Sequence, residues 1–239
     1  MAEFDGSGKR IWGRQFGTTE ADVAMSVAVG ADADVHLAGT TWGPLAGVRQ
    51  PRGAAWAMEL DAGGHELWRR QLGTVEGTVA SGVGADAAGN IFIAGLTWGN
   101  FSGDQRGGPG SGPDGWLAKL DGAGHELWRR QFGSKFGDFI AGLATGPDGS
   151  VVVAGAAEGP FAGPVRGVSD AFLIKYDGGG RELWRRPFGT VIEDTATSVS
   201  TDAAGNIYLV GHAEDVYAWA IRCDAGGRKL WHKQITIEE

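Results

Sequence analysis

Cysteine is nearly absent: the 239-residue chain has one, Cys223, beside three tyrosines and eight prolines. A single cysteine excludes an intrachain disulfide framework. Long apolar runs are missing as well; none approaches the roughly 20 residues that a membrane-spanning helix needs. No segment sustains a helical period. Positive charge is in deficit, with 21 Lys and Arg against 29 Asp and Glu for a net charge of −8. Nucleic acid is thereby excluded as a general partner, because phosphate binding needs a basic field. The opening MAEFDGSGKR has no apolar stretch of the kind a secretory signal requires. The chain as it stands is expected in the cytoplasm, with export expected only if a signal has been trimmed.

Familiar chemical motifs are also lacking. There is no G-x-x-x-x-G-K-[ST], H-E-x-x-H or G-x-S-x-G. His36, His65, His125, His212 and His232 show no metal-ligand spacing. DAAGN starts like a calcium loop but lacks the later acidic ligand, so it reads as a turn. No metal and no cofactor are expected, and Cys223 reads as a small buried hydrophobe.

Glycine and tryptophan, by contrast, are abundant, at 43 and 10, and they recur in register. GHELWRRQ occurs identically at 64–71 and 124–131, with weaker copies around Trp12, Trp184 and Trp231. Each of these Trp residues follows an Asp that opens a Gly-rich turn: Asp5, Asp61, Asp121, Asp177 and Asp224. Between them runs a second pattern, clearest in SGVGADAAGNIFIAG (81–95) and TSVSTDAAGNIYLVG (197–211). Both patterns alternate apolar residues around Asp/Gly/Asn turns, the signature of β-hairpins. One unit is therefore four short antiparallel strands, A to D. Units of about 50 residues with four strands have the size of propeller blades. The expectation is one all-β domain over 1–239, a β-propeller of four-stranded antiparallel blades. Its repeats fall at about 22–73, 78–133, 138–189 and 194–239, preceded by a surplus C–D hairpin at 1–17. That hairpin could shield a blade edge, swap into another chain, or replace the last C–D pair in closing a ring.

The combination RQFGT…DAAGN-I-[FY]-[LIV]-[AV]-G, followed by DAFLIKYDGGGRELWRR, resembles the bacterial SBBP family of β-propeller repeats. The resemblance covers essentially the whole chain and implies the fold. It also implies residence in larger exported or surface proteins, and it brings no shared activity or catalytic residue. A propeller is a scaffold, so function has to be argued from a site on it.

The repeated LWRRQ reads as architecture. Strand D is outermost, so Trp covers the gap between blades while the Arg stems lie along apolar surface. Function is better sought where the repeat breaks. Three residues after the Gly that ends strand B stand Trp42 and Trp98 in two units, then Glu158 and Glu214 in the others. At a central mouth these would set an aromatic wall against an acidic one, suited to sugars, apolar rings or cations. The span Gly211–Asp224 is roughly half as long as Gly39–Asp61, Gly95–Asp121 or Gly155–Asp177. It lacks most of the loop written elsewhere as GPLAGVRQPRG, GNFSGDQRGGPGSGPDG or GPFAGPVRGVSD, which leaves a notch beside His212, Glu214 and Asp215. Arg49, Arg106 and Arg166 in the long loops either ring the same face or pair with loop carboxylates. Asp22, Asp138 and Asp194, with Thr78 in the equivalent place, read as turn-closing hydrogen-bond devices.

The function expected from these residues is non-catalytic: a scaffold binding a glycan, small molecule or protein at its loop-rich top face. Its ligand-binding candidates are Trp42, Trp98, Glu158, Glu214, His212, Arg49, Arg106 and Arg166. An enzyme in the central mouth is the alternative, with Glu158, Glu214, His212 and Asp194 as acid–base candidates. A third possibility is assembly into a homo-oligomer through the N-terminal hairpin.

Overall fold

The computed structural model describes every residue except 48, 103–111, 165, 215–216 and 236–239. The described residues form eighteen strands and no helix. A two-stranded hairpin pairs β1 (Ala2–Phe4) with β2 (Arg10–Gly13). Four antiparallel sheets follow, each a meander in chain order. The first holds β3 (Asp22–Val29), β4 (Val35–Thr41), β5 (Ala54–Leu60) and β6 (Glu66–Leu72). The second holds β7 (Thr78–Ala85), β8 (Ile91–Thr97), β9 (Asp114–Leu120) and β10 (Glu126–Phe132). The third holds β11 (Asp138–Thr145), β12 (Val151–Ala157), β13 (Asp170–Tyr176) and β14 (Glu182–Phe188). The fourth holds β15 (Asp194–Thr201), β16 (Ile207–Ala213), β17 (Tyr217–Cys223) and β18 (Lys229–Ile235). The molecule is thus a β-propeller architecture of four complete four-stranded blades plus an N-terminal hairpin.

The turns explain why the sequence folds in these short steps. In the β5–β6 turn, one Asp61 carboxylate oxygen accepts the backbone N–H of Gly63 (2.9 Å) and His65 (2.8 Å). Gly64 then takes the left-handed backbone, φ +74°, at no steric cost. The same Asp device closes the turns at Asp5, Asp86, Asp121, Asp177, Asp202 and Asp224. Every residue of β4, β5, β9, β12 and β13 is buried. A sheet covered on both faces must be stacked, and the mixed clusters show it: Ala38 and Ala55 pack with Ile91 and Trp116, Phe92 with Phe172.

At the rim, Trp68 lies over the turn of the next sheet. Its indole N–H donates to Gly122 O (3.1 Å) and to Glu59 Oε2 (2.7 Å), and Arg70 Nε donates to Gly124 O (2.9 Å). Trp128 and Arg130 repeat this on Gly178 and Gly180. Trp12 of the N-terminal hairpin does the same to the first sheet, donating to Ala62 O (3.3 Å). The hairpin thus supplies the seam contact of a preceding blade. Packing runs from β3 to β7, β7 to β11 and β11 to β15, and no comparable packing joins β15 to β3. The four sheets form an open arc, and Val23, Met25, Val27 and Val29 are exposed on the leading face of β3.

Candidate functional site

The four residues at the broken position of the repeat are structurally equivalent. The backbone N–H groups of Trp42, Trp98, Glu158 and Glu214 donate to Ala21, Gly77, Gly137 and Glu193 carbonyls at 2.8–3.1 Å. One backbone frame therefore presents two indoles, 38% and 45% exposed, and two carboxylates. Glu214 holds a positive φ of +44°, and its carbonyl lies 3.1 Å from Nδ1 of the exposed His212. Asp22, Asp138 and Asp194 each accept the backbone N–H four residues earlier, from Thr18, Ser134 and Thr190. Thr78 Oγ1 accepts that of Thr74. These groups close the loop between consecutive sheets.

A cavity of about 400 Å³ opens at this end, lined by Asp138, Phe139, Glu158, Ser169, Glu193 and Thr195 among others. Asp138 is 5% exposed, and its second carboxylate oxygen has no hydrogen-bond partner. Burial pushes its pKa up to about 7, aided by the charges of Asp114 and Glu158 and opposed by the Ser134 N–H. Such a carboxyl exchanges a proton near neutrality. The cavity unites Glu158 with Asp138 and Glu193. It does not include His212, Glu214 or Asp194.

The long B–C loops share a second feature. Each sends one apolar side chain into the groove between the last strand of one unit and the third strand of the next. Leu45 packs with Phe16 and Trp56. Phe101 lies 5.1 Å from Trp116, beside Leu72. Phe161 stacks on Phe132 at 6.1 Å and meets Phe172 edge-on at 5.1 Å. Arginine from the LWRRQ strand pins each plug: Arg69, Arg129 and Arg185 donate to the carbonyls of Leu45, Phe101 and Phe161 at 3.3–3.4 Å. Arg129 and Arg185 also sit over the plug rings, 4.4 and 4.3 Å from their centroids. Glu66, Glu126 and Glu182 hold these three guanidinium groups in place.

The groove between the third and fourth sheets has the same floor, and among the described residues no apolar side chain fills it. Phe188 and Trp219 stand where Phe132 and Phe172 stand, and a cavity of about 290 Å³ lies over them. Its walls include Tyr217, Ile221, Arg166, Arg186, Lys229 and His232. In the fourth unit His232 replaces the pinning Arg, and Lys229 replaces its Glu. Asp194 is the acidic side chain among the lining residues, and it is 2% exposed with Thr190 on it. This cavity is lined by Tyr217 and Trp219, and His212 and Glu214 are not among its lining residues. Arg166 reaches this groove and donates to Gly189 O (3.0 Å), whereas Arg49 pairs with Glu20 at 3.1 Å. Arg106 and Asp215 lie outside the described residues. Among the described residues, no three His, Cys, Asp or Glu side chains converge as a metal ion would need. No helix among them is long and apolar enough to cross a membrane.

Residues 67–102 match the SBBP family, a beta-propeller repeat. Regulatory protein FlaEY of Caulobacter vibrioides is 30% identical over 187 residues, which cover 74% of this chain and 18% of that protein. The chain therefore spans less than a fifth of that relative. Among solved structures, Kuenenia stuttgartiensis hydrazine synthase is similar with a TM-score of 0.55 at 11% identity, covering 94% of this chain and 52% of that one. A Synechocystis apocarotenoid oxygenase gives 0.52 at 13% identity, over 98% and 55%. At such identities these likenesses show the fold alone.

Proposed function

We propose, for a chain that carries SBBP-type β-propeller repeats, a non-catalytic role as a binding scaffold whose ligand enters the unplugged groove between the third and fourth sheets. The carrying observation is that three equivalent grooves are filled by the chain's own loops, whereas among the described residues the fourth is open over Phe188 and Trp219. Its volume suits a ring-sized apolar group. Arg166, Arg186 and Lys229 line it, in a chain of net charge −8. The ligand class is thus an apolar or aromatic group carrying negative charge. FlaEY is a regulatory protein by name, and a ligand-reading scaffold is compatible with such a role.

The test titrates phenylacetate into the protein and follows the amides of the third and fourth sheets by NMR. Saturable shifts at Trp219 and Phe188, weakened by salt, are expected. Residues 157–169 grafted in place of 213–216 would restore a plug and abolish the response. Shifts that survive the graft would move the site elsewhere. A second reading, acid–base catalysis in the 400 Å³ cavity, is favoured by Asp138 with its pKa near 7 beside Glu158.

A further inference from the structure

The plugs show how the chain holds its own apolar turns in these grooves. Each plug is a turn of small residues around one apolar side chain: Pro44-Leu45-Ala46, Asn100-Phe101-Ser102 and Pro160-Phe161-Ala162. Three separate groups receive it. The floor takes the side chain. An Arg takes the plug carbonyl. In the first two sheets a Gln amide takes the backbone: Gln71 Oε1 accepts Ala46 N–H (3.2 Å), and Gln131 Oε1 accepts the N–H groups of Phe101 (2.7 Å) and Ser102 (3.2 Å).

Among the described residues, the fourth sheet keeps the receptor groups and shows no occupant. Gln234 pairs with Trp219 in the register by which Gln131 pairs with Trp116 and Gln71 with Trp56. Its amide is exposed, where that of Gln131 is 4% exposed beneath its plug. Phe188 and Trp219 supply the floor. The change lies at the edge. The Glu126–Arg129 ion pair, internally neutral, becomes Lys229 and His232. Among the described residues, Lys229 has no ion-pair partner, so an occupant of this groove meets a cation where the internal plugs meet a neutralised guanidinium.

We infer that the ligand is a loop of another protein, a turn with Phe or Leu flanked by small residues and followed by an acidic side chain. Its apolar side chain lies on Phe188 and Trp219, its backbone N–H groups meet Gln234, and its carboxylate faces Lys229 and His232. The inference rests on the groove being the binding site. It goes further in making the backbone and the acid part of recognition, so that an aryl acid alone is an incomplete ligand.

The experiment uses the full chain and the capped peptide Gly-Pro-Phe-Ala-Gly-Glu, with phenylacetate as the comparison probe, by titration calorimetry. The peptide is expected to bind at least tenfold tighter than phenylacetate, and a peptide with Ala in place of Phe at least tenfold weaker than the parent. Lys229→Glu should weaken the acidic peptide several-fold and favour a version ending in Lys. Gln234→Ala, at an exposed position, should weaken the peptide and leave phenylacetate unchanged. Binding of phenylacetate with no gain from the peptide would overturn the loop and leave the groove standing. Failure of both probes would overturn both. Peptide binding that appears only in a chain ending at 235 would make residues 236–239 the occupant and overturn the partner loop.

Discussion

Replacing Gly124 by Ala tests the seam between sheets, and Gly89 supplies a matched control in the same sheet. Both glycines close hairpins of the second sheet with nearly equal left-handed backbones, φ +75° and +76°. An L-residue there costs about 1–2 kcal/mol, so both substitutions carry that penalty. Their surroundings differ. A Cβ at Gly89 meets nothing within 4 Å, whereas one at Gly124 would lie 2.7 Å from the Trp68 ring. Carbon atoms need about 3.5–4.0 Å, so the indole must retreat by roughly 1 Å. That movement opens the Trp68 bond to Gly122 O and the Arg70 bond to Gly124 O, each worth about 1 kcal/mol, the latter more because it is charged. Gly124→Ala should therefore cost about 2 kcal/mol beyond Gly89→Ala. For a chain of this length the difference corresponds to roughly 4–8 °C in Tm. Calorimetry on the two variants measures it, and indole fluorescence reports exposure of Trp68 in the first only. Equal losses in Tm would refute the claim that Trp-on-glycine contacts join the sheets.

Asp138→Asn should stabilise the protein at pH 8 and leave it nearly unchanged at pH 4. The native carboxyl titrates near pH 7 and the unfolded one near 4, so the native state holds the extra proton between these values and stability falls as pH rises through that window. Three units correspond to about 4 kcal/mol as an upper bound; urea midpoints across pH measure it, and a pH-independent effect would refute the assignment. Phe101→Ala should cost about 3–4 kcal/mol, since the ring is 6% exposed against Trp116 and under Arg129; a loss below 1 kcal/mol in calorimetry would mean the plug is dispensable. Cys223 is fully buried, and burial pushes its thiol up to about 11. It should resist an aromatic disulfide reagent at pH 8 until the fourth sheet unfolds, and prompt labelling of the native protein would contradict that burial.

The turns and strands were legible because their signals are local. Asp121 and Gly124 announce a hairpin by chemistry confined to four residues, and the alternation of IFIAG needs no distant partner. The rim role of Trp68 could be read too, from repetition alone. Asp138 could not be read as titratable, since it shares its local sequence role with Asp22. The difference is chiefly burial: Asp138 is 5% exposed and desolvated, whereas Asp22 is only half-buried, and the Thr18 N–H and the Thr41 hydroxyl across the sheet outweigh its desolvation and hold it below the usual range. The plugs escaped notice because an isolated Phe in a Gly- and Pro-rich loop has no period. The available signal was the shared G-[PN]-[LF]-[AS]-G of residues 43–47, 99–103 and 159–163, lost together with the change from RELWRR to RKLWHK. The open arc escaped as well, because sequence repeats carry no record of curvature.

The plugs also have a consequence for how the molecule answers a ligand. The first three sheets close their grooves with their own covalently attached loops, so their cohesion does not depend on what the solution contains. Among the described residues the fourth has no such loop over its groove. A unit with fewer buried contacts opens more readily than its neighbours. An occupant of the groove would then act as the wedge between the third and fourth sheets, and its concentration would set how often they come apart. Occupancy would be written as rigidity at that seam, legible to any protease or partner that waits for it to open.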